Sequence, residues 1–140
     1  MKLVKPELPQ EEAIRVKIVS RPPGLLMNNP ASMLHQSKVG KKLAERDPKL
    51  EAEIRAYRGP SKELYIPSAA IYGCLVTTAG AYSIGRKRVN SVIAGTVKIL
   101  PPEVGLGTKK YEINVQSVVI KGSGRVMRAR PWLKEWSAEF

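Results

Sequence analysis

Apolar residues fall along this chain in three rhythms, and each predicts a different element. From Ala13 to Ser20 they alternate, with Ile14, Val16 and Ile18 on one side and Arg15, Lys17 and Val19 on the other. A period of two predicts a strand with one buried face. Arg21-Pro22-Pro23-Gly24 ends it, because neither proline has an N–H for a ladder. From Lys41 to Tyr57 the spacing lengthens. Leu43, Leu50, Ile54 and Tyr57 recur at helical intervals with charges between them, and Gly59-Pro60 stops the helix. Asp47-Pro48 interrupts it, with Asp47 placed as an N-cap and Pro48 at the first helical position. Ala69 to Ala79 is apolar on all sides and rich in small residues. It predicts a buried helix, opened by Pro67 or Ser68 after a short extended stretch from Tyr65, and ended by Gly80.

The rest reads as strands. Val92 to Leu100 is a β-branched run closed by Pro101-Pro102. Tyr111 to Val115 and Val118 to Ile120 predict one kinked strand or two. Gly122-Ser123-Gly124 is a tight turn, after which Arg125 to Arg130 returns as the hairpin partner of Val118 to Lys121. Trp136, Ala138 and Phe140 share one face of a last strand, which points them to the core. Strand, helices and then strands give an α+β fold, with helices packed on one face of a mostly antiparallel sheet. Residues 1–140 read as a single domain, with 1–12 a loose lead-in. The last strand runs to the final residue. That leaves three readings open: a fragment, an edge strand, or a strand that pairs with another chain in a homo-oligomer or larger assembly.

Charge changes this picture. Between Ile84 and Lys134 there are eleven Lys or Arg and two acids, Glu103 and Glu112, so this segment carries +9 of the chain's +12. The hydrophobic fraction of 43% is too high for a disordered chain. An ordinary core with one-sided charge predicts a polyanionic partner, nucleic acid ahead of an anionic membrane surface. No apolar run approaches the ~20 residues of a membrane span, and the N-terminus lacks the apolar core of a signal peptide. Cys74 is the single cysteine and His35 the single histidine. That excludes an intrachain disulfide and a Cys/His zinc site, and predicts a cytoplasmic setting.

No catalytic pattern competes with the charge. A nucleophile–base pair needs His35, which stands in Met33-Leu34-His35-Gln36 beside no nucleophile motif. Cys74 lies within the apolar helix and reads as a small core residue. Glu45, Asp47, Glu51 and Glu53 are interleaved with cations, as on an exposed helix face, and no DxD pair is present. Gly105-Leu106-Gly107-Thr108-Lys109-Lys110 lacks the spacing of a phosphate loop and a following helix. The chain therefore predicts no enzyme, no metal and no cofactor.

Binding residues form three groups. Arg86-Lys87-Arg88, with Tyr82 nearby, makes a basic loop suited to phosphates. Lys109 and Lys110 precede Tyr111, and Lys121 closes the strand before the turn. In the returning strand, alternation sets Val126, Arg128 and Arg130 on one side and Arg125, Met127 and Ala129 on the other. Arg128 and Arg130 then stand about 6.6 Å apart along the strand, close to the rise of a stacked single strand. Trp132 follows as a stacking platform, since every base has a face for it. The RRM aromatics and a duplex-reading recognition helix are both missing.

Tyr65-Ile66-Pro67-Ser68-Ala69-Ala70-Ile71-Tyr72-Gly73 resembles the proline-led strand-to-helix passage of RAMP-type proteins, the RNA-binding backbone subunits of CRISPR effector complexes. Arg128-Ala129-Arg130-Pro131 through Trp136 is similar to the C-terminal part of small prokaryotic-virus proteins. The first likeness departs from the family at Ala69, where RAMP proteins have glycine or serine, and at Tyr72, where they have lysine. It implies a ferredoxin-like or RRM-like fold and an RNA or single-stranded DNA ligand. Two functions follow as expectations: a non-enzymatic single-stranded nucleic-acid-binding protein, or a virion or effector-complex subunit whose basic face and terminal strand bind protein partners.

Overall fold

The computed structural model describes residues 10–38, 47–120, 122 and 124–140. Its longest feature is a two-stranded ribbon in which β7 (Glu112–Ile120) pairs antiparallel with β8 (Gly124–Leu133). One unbroken strand thus replaces the kinked or divided one. The turn between them uses positive φ at Gly122 and Gly124, conformations that cost glycine least. β2 (Leu25–Leu26) adds to the outer edge of β8 near its end, with Leu25 opposite Leu133 and Leu26 opposite Trp132. Gly24 makes this approach possible, because a Cβ there would meet the Leu133 carbonyl oxygen at 2.3 Å.

Antiparallel pairing is otherwise divided among small sheets. β1 (Lys17–Val19) pairs with β9 (Ser137–Glu139), so the terminal strand finds its partner within the chain. β3 (Tyr65–Pro67) pairs with β6 (Glu103–Gly105), and β4 (Ser83–Ile84) with β5 (Lys87–Arg88). Together with the three α-helices of the described residues this is an α+β architecture. The core gathers where these pieces meet: Met27, Ala56, Leu64, Val104, Leu106, Leu133 and Ala138, with Trp136 and Phe140 packed against them. Leu64 and Val104 are fully buried, and each such side chain contributes about 1.5–3 kcal/mol through burial.

α1 (Pro48–Arg55) begins as its sequence predicts. Asp47 is the N-cap, its carboxylate accepting the Lys49 N–H at 2.8 Å, and Pro48 occupies the first turn, where no N–H is required. The expected upstream part, Lys41 to Arg46, lies outside the described residues. α1 packs across β8 and, to a smaller extent, β7.

Two expectations fail further along. α2 (Ser68–Ala79) is a helix, but Ala79 is its one buried residue. Composition reports that a helix is apolar, and nothing in it reports what covers the helix. Val92 to Leu100 is not a strand: α3 (Val89–Thr96) occupies most of it. Its β-branched residues yield to packing on α2, where the Tyr72 hydroxyl donates to the Ala94 carbonyl at 3.0 Å. Thr96 also returns its hydroxyl to the Val92 carbonyl at 2.7 Å. A 3-10 helix, Pro30–Lys38, was not anticipated.

Candidate nucleic-acid interface

The ribbon register decides which side chains share a face. Directly paired residues project together, so Asn114 with Arg130, Gln116 with Arg128 and Val118 with Val126 make one face. Val119 with Arg125, Ser117 with Met127 and Val115 with Ala129 make the other. The expected alternation therefore holds, and the sequence reading missed Asn114 and Gln116, the amides opposite the two arginines.

Arg128 and Arg130 are not equally available. Arg128 meets Glu51 of α1 at 3.3 Å, and Glu51 also pairs with Arg55 one helical turn on, at 3.4 Å. Glu51 is 3% exposed. Burial pushes the Arg55 guanidinium below its ordinary pKa; Glu51 opposes that shift, while Arg128 and Arg130 add to it. Two guanidinium groups, those of Arg55 and Arg128, thus share one carboxylate. Arg130 makes no ion pair among the described residues, and its buried Nε has no hydrogen-bond partner. Arg128 is committed within the fold, whereas Arg130 brings uncompensated charge to the same face.

Lys109 and Lys110 extend from a loop that is held by its backbone. The Leu64 N–H donates to the Thr108 carbonyl at 2.9 Å, Arg58 donates to the Lys109 carbonyl at 3.0 Å, and Glu63 accepts the Gly107 N–H at 2.9 Å. Both lysines are exposed. This loop runs from β6 to β7 and meets no helix N-terminus, so it is not a phosphate loop. Tyr111 is part of the anchor. Its hydroxyl donates to Glu53 at 2.6 Å and Arg58 lies 5.4 Å from its ring centroid. Burial first, and the Glu53 carboxylate second, push the phenol up to about 12. The hydrogen bond from Arg58 is what chiefly holds the Glu53 carboxyl below its usual value.

An open groove of about 1170 Å³ runs between this loop and the end of β8, lined by Lys110, Trp132, Lys134 and Trp136 among others. Trp132 is less free than a stacking platform needs to be. Its indole N–H donates to the Pro23 carbonyl at 2.7 Å, and the Lys134 ammonium sits 4.8 Å from its ring centroid while pairing with Glu112 at 2.8 Å. Lys134 was missed as a site residue; its spacing of two from Trp132 was the available signal. Trp136 joins the core as expected.

The remaining predicted residues lie elsewhere. Arg125 is exposed near the ribbon's turn. Tyr82, Arg86, Lys87 and Arg88 sit at the exposed tip of an arm formed by α2, the β4–β5 hairpin and α3. None of the larger packing interfaces joins that arm to β7 or β8. Lys121 lies outside the described residues. Of the ten described basic residues from Ile84 to Lys134, only Arg128 and Lys134 enter ion pairs with described acids.

Cys74 is exposed, against the expectation of a core position. Among the described residues, no three His, Cys, Asp or Glu side chains gather as metal ligands. No described helix is long and apolar enough to cross a membrane. Comparison with protein families, curated proteins and solved structures returned no match.

Proposed function

We propose that this chain binds single-stranded nucleic acid through its phosphate backbone, without catalysis, in a cytoplasmic setting. One observation carries the reading: Arg86, Lys87, Arg88, Lys98, Lys109, Lys110, Arg125 and Arg130 have no acid partner among the described residues. Cations left without acids are the groups that release counterions when they meet phosphates. Arg130 holds the strand on the face it shares with Asn114 and Gln116, Arg125 meets it near the turn from the opposite face, Lys109 and Lys110 grip it on the adjoining loop, and Arg86 to Arg88 at the arm tip. Arg128 acts as their fixed neighbour, and Asn114 and Gln116 offer amides to sugar or base edges. Trp132 contributes by the ring area that Lys134 leaves open, so stacking is a minor part of affinity.

The choice of RNA or single-stranded DNA as the ligand comes from the RAMP-type resemblance at Tyr65 to Gly73. A ferredoxin-like arrangement remains part of this proposal. The test is a salt titration of oligonucleotide affinity: log K should fall with log salt by ~0.7 for each phosphate neutralised. A flat dependence would overturn the reading. A second reading, an assembly subunit of a virion or effector complex, is favoured by the exposed apolar arm.

A further inference from the structure

The Arg130 face of the ribbon holds more shielded positive charge than the fold offsets. Arg55 is buried, and Arg128 and Arg130 are half-buried. Glu51 pairs with Arg55 and Arg128. Arg55 is otherwise held by a neutral side chain, its Nη1 donating to Asn28 at 2.5 Å. Three guanidinium groups against one carboxylate leave two charges without an acid among the described residues. The three act on one another, since Arg128 and Arg130 both depress the Arg55 pKa. The Nε atoms of Arg55 and Arg130 are buried and make no hydrogen bond. Unpaired charge held away from water is costly, and a cost of that kind points to a ligand that brings the anion.

We infer that this face seats the terminal phosphate monoester of a nucleic-acid strand. Geometry and charge together select that group. Arg130 stands opposite Asn114, and Arg128 opposite Gln116. Directly opposed side chains start about 5 Å apart and successive ones on a face about 7 Å apart. Four donor-bearing side chains therefore frame a patch that fits one phosphate group. A planar guanidinium can give that group two parallel hydrogen bonds. A phosphodiester inside a strand brings one negative charge and leaves the cluster half offset. A monoester brings about −1.5 to −2 at neutral pH, which matches the two charges left over. A carboxylate of a protein partner again brings only one, and a nucleobase brings none. Arg130 makes the contact. Arg128 and Arg55, held by Glu51, keep the potential beside it positive. Arg125, Lys109 and Lys110 are exposed and suit the diesters along the strand.

The inference rests on the nucleic-acid reading, and the experiment separates the two. Anisotropy at fixed salt compares three internally labelled oligothymidylates of about 10 nucleotides. One carries a 5′-phosphate, one a 3′-phosphate, and one hydroxyls at both ends. At least one phosphorylated strand should bind about tenfold tighter than the hydroxyl-ended strand, the gain from one charge-assisted contact. That ratio should shrink as the pH falls from about 7.5 to 5, because the monoester loses its second charge near pH 6 while guanidinium groups keep theirs. Arg130→Met keeps the aliphatic stem without the charge and should bring the ratio close to one. Its urea midpoint should be unchanged or raised, because an uncompensated cation is gone. Equal affinity for the three strands overturns the inference and leaves nucleic-acid binding intact. So does an end preference that survives Arg130→Met or persists undiminished at pH 5, or a clear fall in that variant's midpoint, the mark of an internal acid on Arg130. Failure of every strand to bind overturns the nucleic-acid reading. If inorganic phosphate then still raises the unfolding temperature of the wild type and not of Arg130→Met, the cluster takes a small phosphate and the strand end is wrong.

Discussion

The Glu51 carboxylate of α1 accepts the backbone N–H of Ala129 on β8 at 3.3 Å. A helix side chain thereby caps a strand edge that no strand of the described residues covers at that point. The same carboxylate meets Arg55 and Arg128, so one residue holds α1 to the ribbon and offsets one buried and one half-buried cation. Glu51→Ala should therefore cost about 3–5 kcal/mol, the usual loss when one member of a buried ion pair is removed. Glu51→Gln keeps the shape and should still be strongly destabilised, because the amide lacks the charge. Urea denaturation of both variants checks this, and a loss below about 1 kcal/mol would show that the cluster is idle.

Tyr111 predicts how the fold responds to alkali. Its folded pKa of about 12 exceeds the ordinary 10.0, so the folded state holds the phenolic proton more tightly than the unfolded chain. That contribution is fully present below pH 10 and is lost as the pH rises towards 12. Tyr111→Phe removes the hydrogen bond to Glu53 and should cost about 1–2 kcal/mol at neutral pH. It should also flatten the fall in stability between pH 10 and 12. Thermal unfolding across that range measures both effects.

Legibility in the sequence followed the distance over which each signal acts. The cap at Asp47-Pro48, the Gly122–Gly124 turn and the arginine alternation are local, and all three stand as read. The ribbon's true length was hidden because β8 continues past Arg130 through Pro131 and Trp132 to Leu133, where it pairs with β7 on one edge and β2 on the other. Val92 to Leu100 misled because β-branched residues prefer strands only on average, and contact with α2 outweighs that preference here. The internal partners of Arg128 and Trp132 were not legible for one reason. Their partners, Glu51 and Pro23, are 77 and 109 residues away, beyond the reach of any spacing rule.

Gly24 offers a stability test independent of charge. It adopts φ +91°, and an added Cβ would lie 2.3 Å from the Leu133 carbonyl oxygen and 2.9 Å from the Lys134 Cα. Both neighbours are backbone and cannot swing aside. Gly24→Ala should cost at least about 2 kcal/mol, from the strained conformation and from loss of the β2–β8 pairing. Gly85→Ala has a positive φ but open space around it, so it should cost less. Equal midpoints in chemical denaturation would show that the close approach is unimportant.

Trp132 separates stacking from structure. Its N–H is held by Pro23 and Lys134 covers part of its ring. Trp132→Phe keeps an aromatic face but loses the hydrogen bond, so stability should fall by about 1 kcal/mol. Oligonucleotide affinity should change less than threefold, because base stacking on an open platform is worth about 1–3 kcal/mol and little of that is available here. A tenfold or greater loss of affinity with stability intact would restore Trp132 as a principal stacking residue.

Arg125 and Arg128 give the sharpest contrast along β8, because they lie three residues apart, on opposite faces and in different electrostatic company. Arg125 is exposed and has no acid partner among the described residues, whereas Arg128 is tied to Glu51. Arg125→Ala should leave the unfolding midpoint nearly unchanged and should reduce the slope of log K against log salt by ~0.7, the loss of one phosphate contact. Because a backbone contact carries no base information, the weakening should be uniform across oligonucleotide sequences. Arg128→Ala should do the reverse, lowering stability by leaving Glu51 with only Arg55 while moving the salt slope little. Thermal unfolding and salt-dependent anisotropy on the same two proteins decide the matter. If the slopes change equally, the division between structural and strand-binding arginines is wrong.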